Sequence, residues 1–259
     1  MISSTANARI KNAIKLKKSA RERRKQGCFL VEGPRMFFEI PREEIMECYM
    51  TEDFEKRYAD RLAGYQWELI SENVSRAVSD TQTPQGVFAL VRIRSRKLED
   101  ILQERIDGPL CLLLLEHIQD PGNLGTMFRS AEAAGISGIV MDAAAVDPYN
   151  PKVIRSTMGA VFRVPFAVVE DIREAERTLK ERKITVFAAH LDGEILYSHD
   201  FRKACAFLIG NEGQGLTKEA AALADRRLRI PMEGQVESLN ASMAATILLY
   251  EAARQRRWS

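Results

Sequence analysis

The chain has 259 residues, 38 Lys+Arg against 36 Asp+Glu, and 46% hydrophobic residues, enough for one large domain or two modest ones. Ordinary apolar content with 15 Gly and 9 Pro excludes disorder and fibrous repeats. The longest uncharged run, Ser238–Tyr250, is 13 residues and too short to span a bilayer, and the polar, basic N-terminus has no apolar signal core.

Cys28, Cys48, Cys111 and Cys205 are spaced 20, 63 and 94 apart, which fits neither a zinc module nor a disulfide framework. A reduced, cytoplasmic protein without membrane or metal partners is expected. The net charge of +2 hides an asymmetry. Residues 1–27 hold nine basic side chains and one acid, Glu22, so this segment is +8 and the rest of the chain −6. A concentrated basic leader suits a polyanion partner, although a solvated helix face has the same composition.

From Asn7 to Gln26, Ile10, Ala13 and Ile14 form a narrow apolar stripe among basic residues, and Gly27 is a natural helix stop. Cys28–Val31 reads as a buried strand, and Pro34 is placed to open a helix through Ile40. Residues 45–50, 65–70 and 86–93 suit strands, with helical material at 52–64 and 72–79. Residues 1–93 thus form a small α/β domain. The charged stretch from Arg92 to Arg105 makes 94–108 the expected linker.

In residues 109–259 the pattern sharpens. Leu110–Leu115 is a continuous apolar run, the mark of a strand buried on both faces. The turn Asp120-Pro-Gly-Asn-Leu-Gly125 leads into a helix ending near Gly135, and Gly138–Met141 is the next strand. Then follow helix 171–182, strands 184–190 and 205–209, helix 217–224, strand 227–232 and a final helix from Ser238 to about Arg256. The alternation predicts a mostly parallel sheet covered on both faces.

Parallel sheets bind ligands at the carboxyl ends of their strands, where three polar turns lie, at 120–129, 210–217 and 232–240. The first has only Gly122 and Gly125, short of a dinucleotide fingerprint. The second has Leu216 where a phosphate loop needs lysine. His117, His190 and His199 make no ligand-spaced pair and read as surface or strand-end residues, and no G-x-S-x-G elbow exists. What remains is Gly-rich strand ends with Asn123, Arg129, Glu212, Ser238 and Asn240. Each alone is more often a cap or turn residue; Ser238, for instance, suits the N-cap of the last helix.

Three segments, Asn123-Leu-Gly125-Thr-Met-Phe-Arg129-Ser-Ala131, Ile209-Gly-Asn-Glu212-Gly-Gln-Gly215 and Ile230-Pro-Met-Glu-Gly-Gln-Val-Glu-Ser238-Leu-Asn240, resemble the motifs of SpoU-type RNA 2′-O-ribose methyltransferases of the SPOUT superfamily. The N-terminal part resembles that family's substrate-binding domain through Ser3-Ser-Thr-Ala-Asn7-Ala-Arg-Ile-Lys11, Phe29-Leu-Val-Glu-Gly33 and Thr83-Pro-Gln-Gly86, and is similar to ribosomal-protein RNA-binding folds. The resemblance implies a SPOUT-type parallel sheet with a trefoil knot, S-adenosylmethionine as methyl donor, and a homodimer. It implies that Gly210, Ile230 and Leu239 line the cofactor pocket and that Asn123, Arg129, Glu212, Ser238 and Asn240 shape the reaction centre. The expected RNA contacts are Arg9, Lys11, Lys15, Lys17, Lys18, Arg23 and Arg24 of the leader, with Arg254, Arg256 and Arg257 a second, smaller basic cluster.

Adenosylmethionine brings its own activated leaving group, so the implied chemistry needs no metal and depends on alignment. The family's arginine at position 129 has been proposed to act as a base on the 2′-hydroxyl. A guanidinium is essentially always protonated, and holding it neutral near pH 7 would cost about 8 kcal/mol. Arg129 is better read as gripping a phosphate and stabilising the developing alkoxide. Glu212 has two readings, direct participation or a turn acid tied to backbone N–H groups. Ribosomal RNA of the large subunit (23S) is the expected substrate. A tRNA methyltransferase and a non-catalytic RNA-binding ribosome-assembly factor on the same fold are the alternatives, and a nucleotide-dependent oxidoreductase is disfavoured by the missing glycine fingerprint.

Overall fold

The basic leader folds as two helices rather than one. In the computed structural model, which describes residues 1–104 and 108–257, α1 (Ala8–Lys18) and α2 (Ala20–Gln26) meet at Ser19. Ser19 is extended (φ −127°, ψ 113°), donates its N–H to the Lys15 carbonyl, and accepts from the Glu22 N–H at 3.3 Å through its hydroxyl. A serine that satisfies one helix end and starts the next breaks a pattern that reads as continuous. Gly27 then closes α2 in the left-handed region, φ 63°.

β1 (Cys28–Glu32), β2 (Ile45–Met50), β3 (Glu68–Leu69) and β4 (Val87–Arg92) form a sheet ordered β1-β4-β2-β3. β4 runs antiparallel to both neighbours, and β3 is parallel to β2. The expected strand 65–70 contracts to two residues. The helices are α3 (Pro34–Phe37), α4 (Glu52–Arg57) and α5 (Glu72–Val78), the first two shorter than the sequence suggests. α1 buries Ile10, Ala13 and Leu16 in a core with Leu30, Tyr49, Val74 and Phe88.

Residues 94–108, expected to be a linker, contain α6 (Leu98–Gln103). Leu98, Ile101 and Leu102 are buried in the core of the second sheet, so this stretch is part of a folded unit. Arg105 and the two residues after it lie outside the described residues.

β5 (Cys111–Leu115), β6 (Gly138–Asp142), β7 (Phe166–Val169), β8 (Thr185–Ile195), β9 (Cys205–Ile209) and β10 (Arg226–Arg229) form the second sheet. Its order is β10-β8-β9-β5-β6-β7, and every adjacent pair is parallel. β7, absent from the sequence expectation, is an edge strand with an alternating, half-exposed burial pattern. β8 is interrupted: Ala188 pairs with Arg227, but the next pairing joins Glu194 to Leu228. The bulged residues 189–193 therefore leave the ladder at the strand's carboxyl end.

The helices of this part are α7 (Pro121–Ala134), α8 (Pro151–Thr157), α9 (Ile172–Glu181), α10 (Lys218–Leu223) and α11 (Ala241–Arg257). α11 starts at Ala241, so Ser238 does not cap it. Asn240 does, accepting through Oδ1 from the N–H of Ser242 at 2.9 Å and of Met243 at 3.3 Å.

The chain's own contacts gather into two units, Met1–Arg94 with Asp147–Phe162, and Ser95–Val146 with Arg163–Ser259. The segment carrying α8 thus belongs with the first unit, although it interrupts the second in sequence. Within the first unit, Arg23 pairs with Asp147 at 2.5 Å, and the Phe29 ring packs on Tyr149 at 4.7 Å.

Candidate active site

The turns after β5 and β9 and the start of α11 converge at the carboxyl ends of the central strands. α7 opens with Asp120 as N-cap and Pro121 at its first position, and the Asp120 carboxylate accepts from the Asn123 N–H at 2.8 Å. This holds Asn123, which is buried, facing the neighbouring turn.

That turn is built around its glycines. A Cβ on Gly210 would lie 2.3 Å from the backbone of Gly215 and Leu216, so only glycine lets β9 run directly beneath the loop. Gly215 sits at φ 70°, and the loop closes through paired backbone bonds between Asn211 and Gly215 at 3.0 and 2.9 Å. Thr217, at its far end, caps α10 and is gripped by buried Glu116 through its N–H (2.8 Å) and hydroxyl (2.7 Å).

Glu212 joins these parts. Its carboxylate accepts from the backbone N–H of Gln119 (3.1 Å) and Asp120 (2.9 Å) and from the Asn123 amide (3.1 Å). The Asn123 carbonyl oxygen accepts in turn from the Asn240 amide at 2.9 Å. One chain of hydrogen bonds therefore links all three motif segments. Burial works against the Glu212 charge, but the bonds from Asn123 and the two backbone N–H groups outweigh it and hold the carboxyl below its ordinary range. With its lone pairs so occupied, Glu212 has the geometry of the turn acid, tied to the loop after β5.

Beside this network lies a cleft of about 360 Å³, within the size range of ligand pockets. Gly210, Ile230 and Leu239 line it, with Glu212 and Ser238 at its wall. Ile209, Leu228, Met232 and Leu248 add apolar surface. Such a wall of apolar side chains and closely approaching backbone fits an adenosine-bearing, zwitterionic cofactor held by backbone groups. Neither Asn123 nor Asn240 lines the cleft itself. Arg129 lies elsewhere again, exposed on α7 and without an acid partner among the described residues. His190, read from sequence as ordinary, lines the cleft together with the β8 bulge. No periodicity marks a bulge, and the only signal is Gly193, whose added Cβ would lie 2.5 Å from the backbone of Leu228.

The seven leader residues divide. Arg23 is 4% exposed and donates to the Leu16 and Lys17 carbonyls and to Asp147. Lys17 pairs with Asp80 at 2.8 Å with its side chain 8% exposed. Arg9 pairs with Glu47 and Glu68 and lies over the Tyr49 ring. Arg23 and Lys17 are thus committed inside the first unit, whereas Arg9, although ion-paired, stays exposed. Lys11, Lys15, Lys18 and Arg24 are exposed. In the C-terminal cluster, Arg254 pairs with Glu251, while Arg256 and Arg257 bind backbone carbonyls.

Residues 110–250 match the SpoU rRNA methylase family, and residues 7–89 match the MRM3-like substrate binding domain. The chain is similar to the 23S rRNA (guanosine(2553)-2′-O)-methyltransferase of Bacillus subtilis (strain 168), at 33% identity over 96% of this chain and 97% of the relative. It is 40% identical to the tRNA (guanosine(18)-2′-O)-methyltransferase of Thermus thermophilus, over 63% of this chain and 83% of the relative. The crystal structure of the SpoU methyltransferase AviRb from Streptomyces viridochromogenes with AdoMet superposes with a TM-score of 0.86 at 29% identity, covering 96% of this chain and 98% of that one. An AdoMet-bound rRNA methyltransferase from Sinorhizobium meliloti superposes with a TM-score of 0.84 at 30% identity, covering 98% and 97%. Family model, full-length relatives and fold agree with the three linked motifs: the chain belongs to the SpoU rRNA methylase family and is an S-adenosylmethionine-dependent RNA 2′-O-ribose methyltransferase.

Proposed function

We propose that the substrate is 23S ribosomal RNA, methylated at a guanosine ribose. The observation carrying this is coverage: similarity to the 23S enzyme runs through both units, whereas similarity to the tRNA enzyme spans 63% of this chain. The test is methylation of 23S rRNA and tRNA transcripts with methyl-labelled S-adenosylmethionine, followed by nucleoside analysis. Label in 2′-O-methylguanosine from 23S rRNA is expected. Label confined to tRNA, or to a base, overturns the reading.

S-adenosylmethionine supplies a methyl group already activated on a sulfonium, so displacement by the ribose oxygen is a matter of alignment and charge. Gly210, Ile230 and Leu239 hold the cofactor, largely through backbone. Glu212, Asn123 and Asn240 act by fixing the three turns to one another, and Ser238 orients a polar group at the cleft wall. Arg129 grips a phosphate beside the target ribose and stabilises the oxygen as it loses its proton to solvent water. Lysine keeps the charge but loses the bidentate fork. Arg129→Lys is therefore expected to lower kcat by about 10²-fold, and full retention of rate would exclude this role.

The same reading includes a trefoil knot around the 210–217 and 232–240 turns, a cytoplasmic location and a homodimer. Met243 and Tyr250, exposed and seven residues apart on one face of α11, support the homodimer. Light scattering on the purified chain at twice the monomer mass is expected. Among the described residues, no helix is long and apolar enough to cross a membrane.

A further inference from the structure

The loop that walls the cofactor cleft is tied to the sheet by residues outside all three motifs. His117 follows β5 in the left-handed region, φ 55°, a conformation that residues other than glycine adopt rarely. Its backbone N–H donates to Asp142 Oδ2 at 2.8 Å, and its imidazole Nε2 stands 3.5 Å from the same oxygen. Its carbonyl accepts from the Asn211 amide at 2.8 Å. Asn211 Oδ1 in turn accepts from the N–H of Gly213 at 2.9 Å and of Gln214 at 3.0 Å, the residues that form the cleft wall. A second strut runs alongside: Gln119 donates from its amide to the Ala144 carbonyl at 2.6 Å and from its backbone to Glu212 at 3.1 Å.

Asp142 is the fixed end of this linkage. It is the last residue of β6, it is 3% exposed, and its other oxygen, Oδ1, has no hydrogen-bond partner. Burial pushes its carboxyl up, against the pull of the His117 N–H and imidazole and, more weakly, of the Ala145 N–H. A carboxylate left half-satisfied in the interior is costly, and its visible return is the geometry of His117.

We propose that Asp142 is a positioning residue for cofactor binding: by holding His117 in its left-handed turn, it presents the His117 carbonyl to Asn211 and so sets the wall of the cleft. The proposal rests on the assignment of that cleft to S-adenosylmethionine. It predicts an effect on cofactor affinity greater than on turnover, because Asp142 touches neither reactant.

The test is calorimetry of the full chain with S-adenosylmethionine, joined to steady-state methylation and hydrogen exchange. Asp142→Ala removes the acceptor and is expected to weaken cofactor binding by about tenfold or more. KM for the cofactor should rise in step, with kcat falling less, and amides of residues 210–216 should exchange faster while those of 226–229 do not. Asp142→Asn keeps an acceptor oxygen of the same shape and is expected to recover most of the affinity. It also carries the test if the alanine variant fails to fold. Unchanged affinity and unchanged exchange in a folded Asp142→Ala, beside a wild-type chain that binds, overturn this proposal alone. Failure of the wild-type chain to bind S-adenosylmethionine overturns the cleft assignment and this proposal with it.

Discussion

The two basic ends of the chain use the same side chains in opposite ways. At the C-terminus, Arg256 donates to the carbonyls of Phe201, Pro109, Leu110 and Lys203 and to the Cys205 sulfur. Arg257 binds the carbonyls of Ala134 and Gly135, closing the end of α7, and Arg254 pairs with Glu251. Arg256 and Arg257 are consumed in tying α11 to the elements around it, while Arg254 is paired within α11 itself. In the leader, Lys17 and Arg23 are consumed likewise and Arg9 is ion-paired at the surface, but Lys11, Lys15, Lys18, Arg21, Arg24 and Lys25 are exposed with no acid partner among the described residues. A count of cations in a sequence therefore overstates the charge a surface presents, by an amount set by which donors find carbonyls and carboxylates at home.

The largest expected effect comes from a leader residue of the consumed kind. Arg23→Met leaves Asp147 as a poorly solvated, unpaired carboxylate and strips two carbonyls of α1 of their donor. A loss of about 3–5 kcal/mol is expected in denaturant unfolding. A variant of full stability that binds RNA more weakly would put Arg23 back among the RNA contacts. Arg256→Gln should cost less, about 1–3 kcal/mol, because part of its network lies near solvent. RNA affinity at a temperature where that variant remains folded should be unchanged.

An acid supplies the converse, a formal charge that the folded protein carries fully only above about pH 7. Glu176 of α9 is fully buried with both oxygens unpartnered, and burial first, with Glu116 second, pushes its carboxyl up to about 7. In the unfolded chain it loses its proton near its ordinary value of about 4.3. Its contribution to stability is therefore fully present below that pH and is lost as pH rises to about 7. Glu176→Gln should flatten this decline in melting temperature between pH 4.5 and 7. An unaltered profile would show that Glu176 is solvated.

Much of the catalytic half is legible in the sequence, because its site is made of turns, and turns are written in Gly, Pro, Asn and Asp at fixed spacings. Asp120-Pro121 opening α7 and the glycines of 210–215 are local chemistry. Pairing at a distance is not legible. Glu212, Asn123 and Asn240 lie in three separate segments, and nothing in any one of them says that the Asn123 amide joins the other two. α6 is hidden because Leu98, Ile101 and Leu102 are outnumbered by charged neighbours, and six residues give too little period to recognise. Ser238 and Asn240 are both good caps for the last helix, and only tertiary placement chooses Asn240. The return of 147–162 to the first unit depends on Asp147 meeting Arg23, a partner 124 residues away.

The smallest effects, and the sharpest for the comparison, belong to the cations left free. Lys11, Lys15 and Lys18 follow one another at helical i, i+4, i+7 spacing on α1, opposite the buried Ile10, Ala13 and Leu16. A lysine that contacts phosphate releases condensed counterions from the RNA, so its removal lowers the slope of log affinity against log salt by about 0.7–0.9 whatever the sequence bound. Each single replacement by Gln should therefore lower that slope by about one, weaken RNA binding a few-fold at moderate salt, and alter stability by less than about 0.5 kcal/mol. Cofactor affinity should be unaffected. The slope decides where affinity alone does not, because a lysine acting through the fold would weaken binding equally at every salt concentration. Three unchanged slopes would mean that this face of α1 is merely solvated.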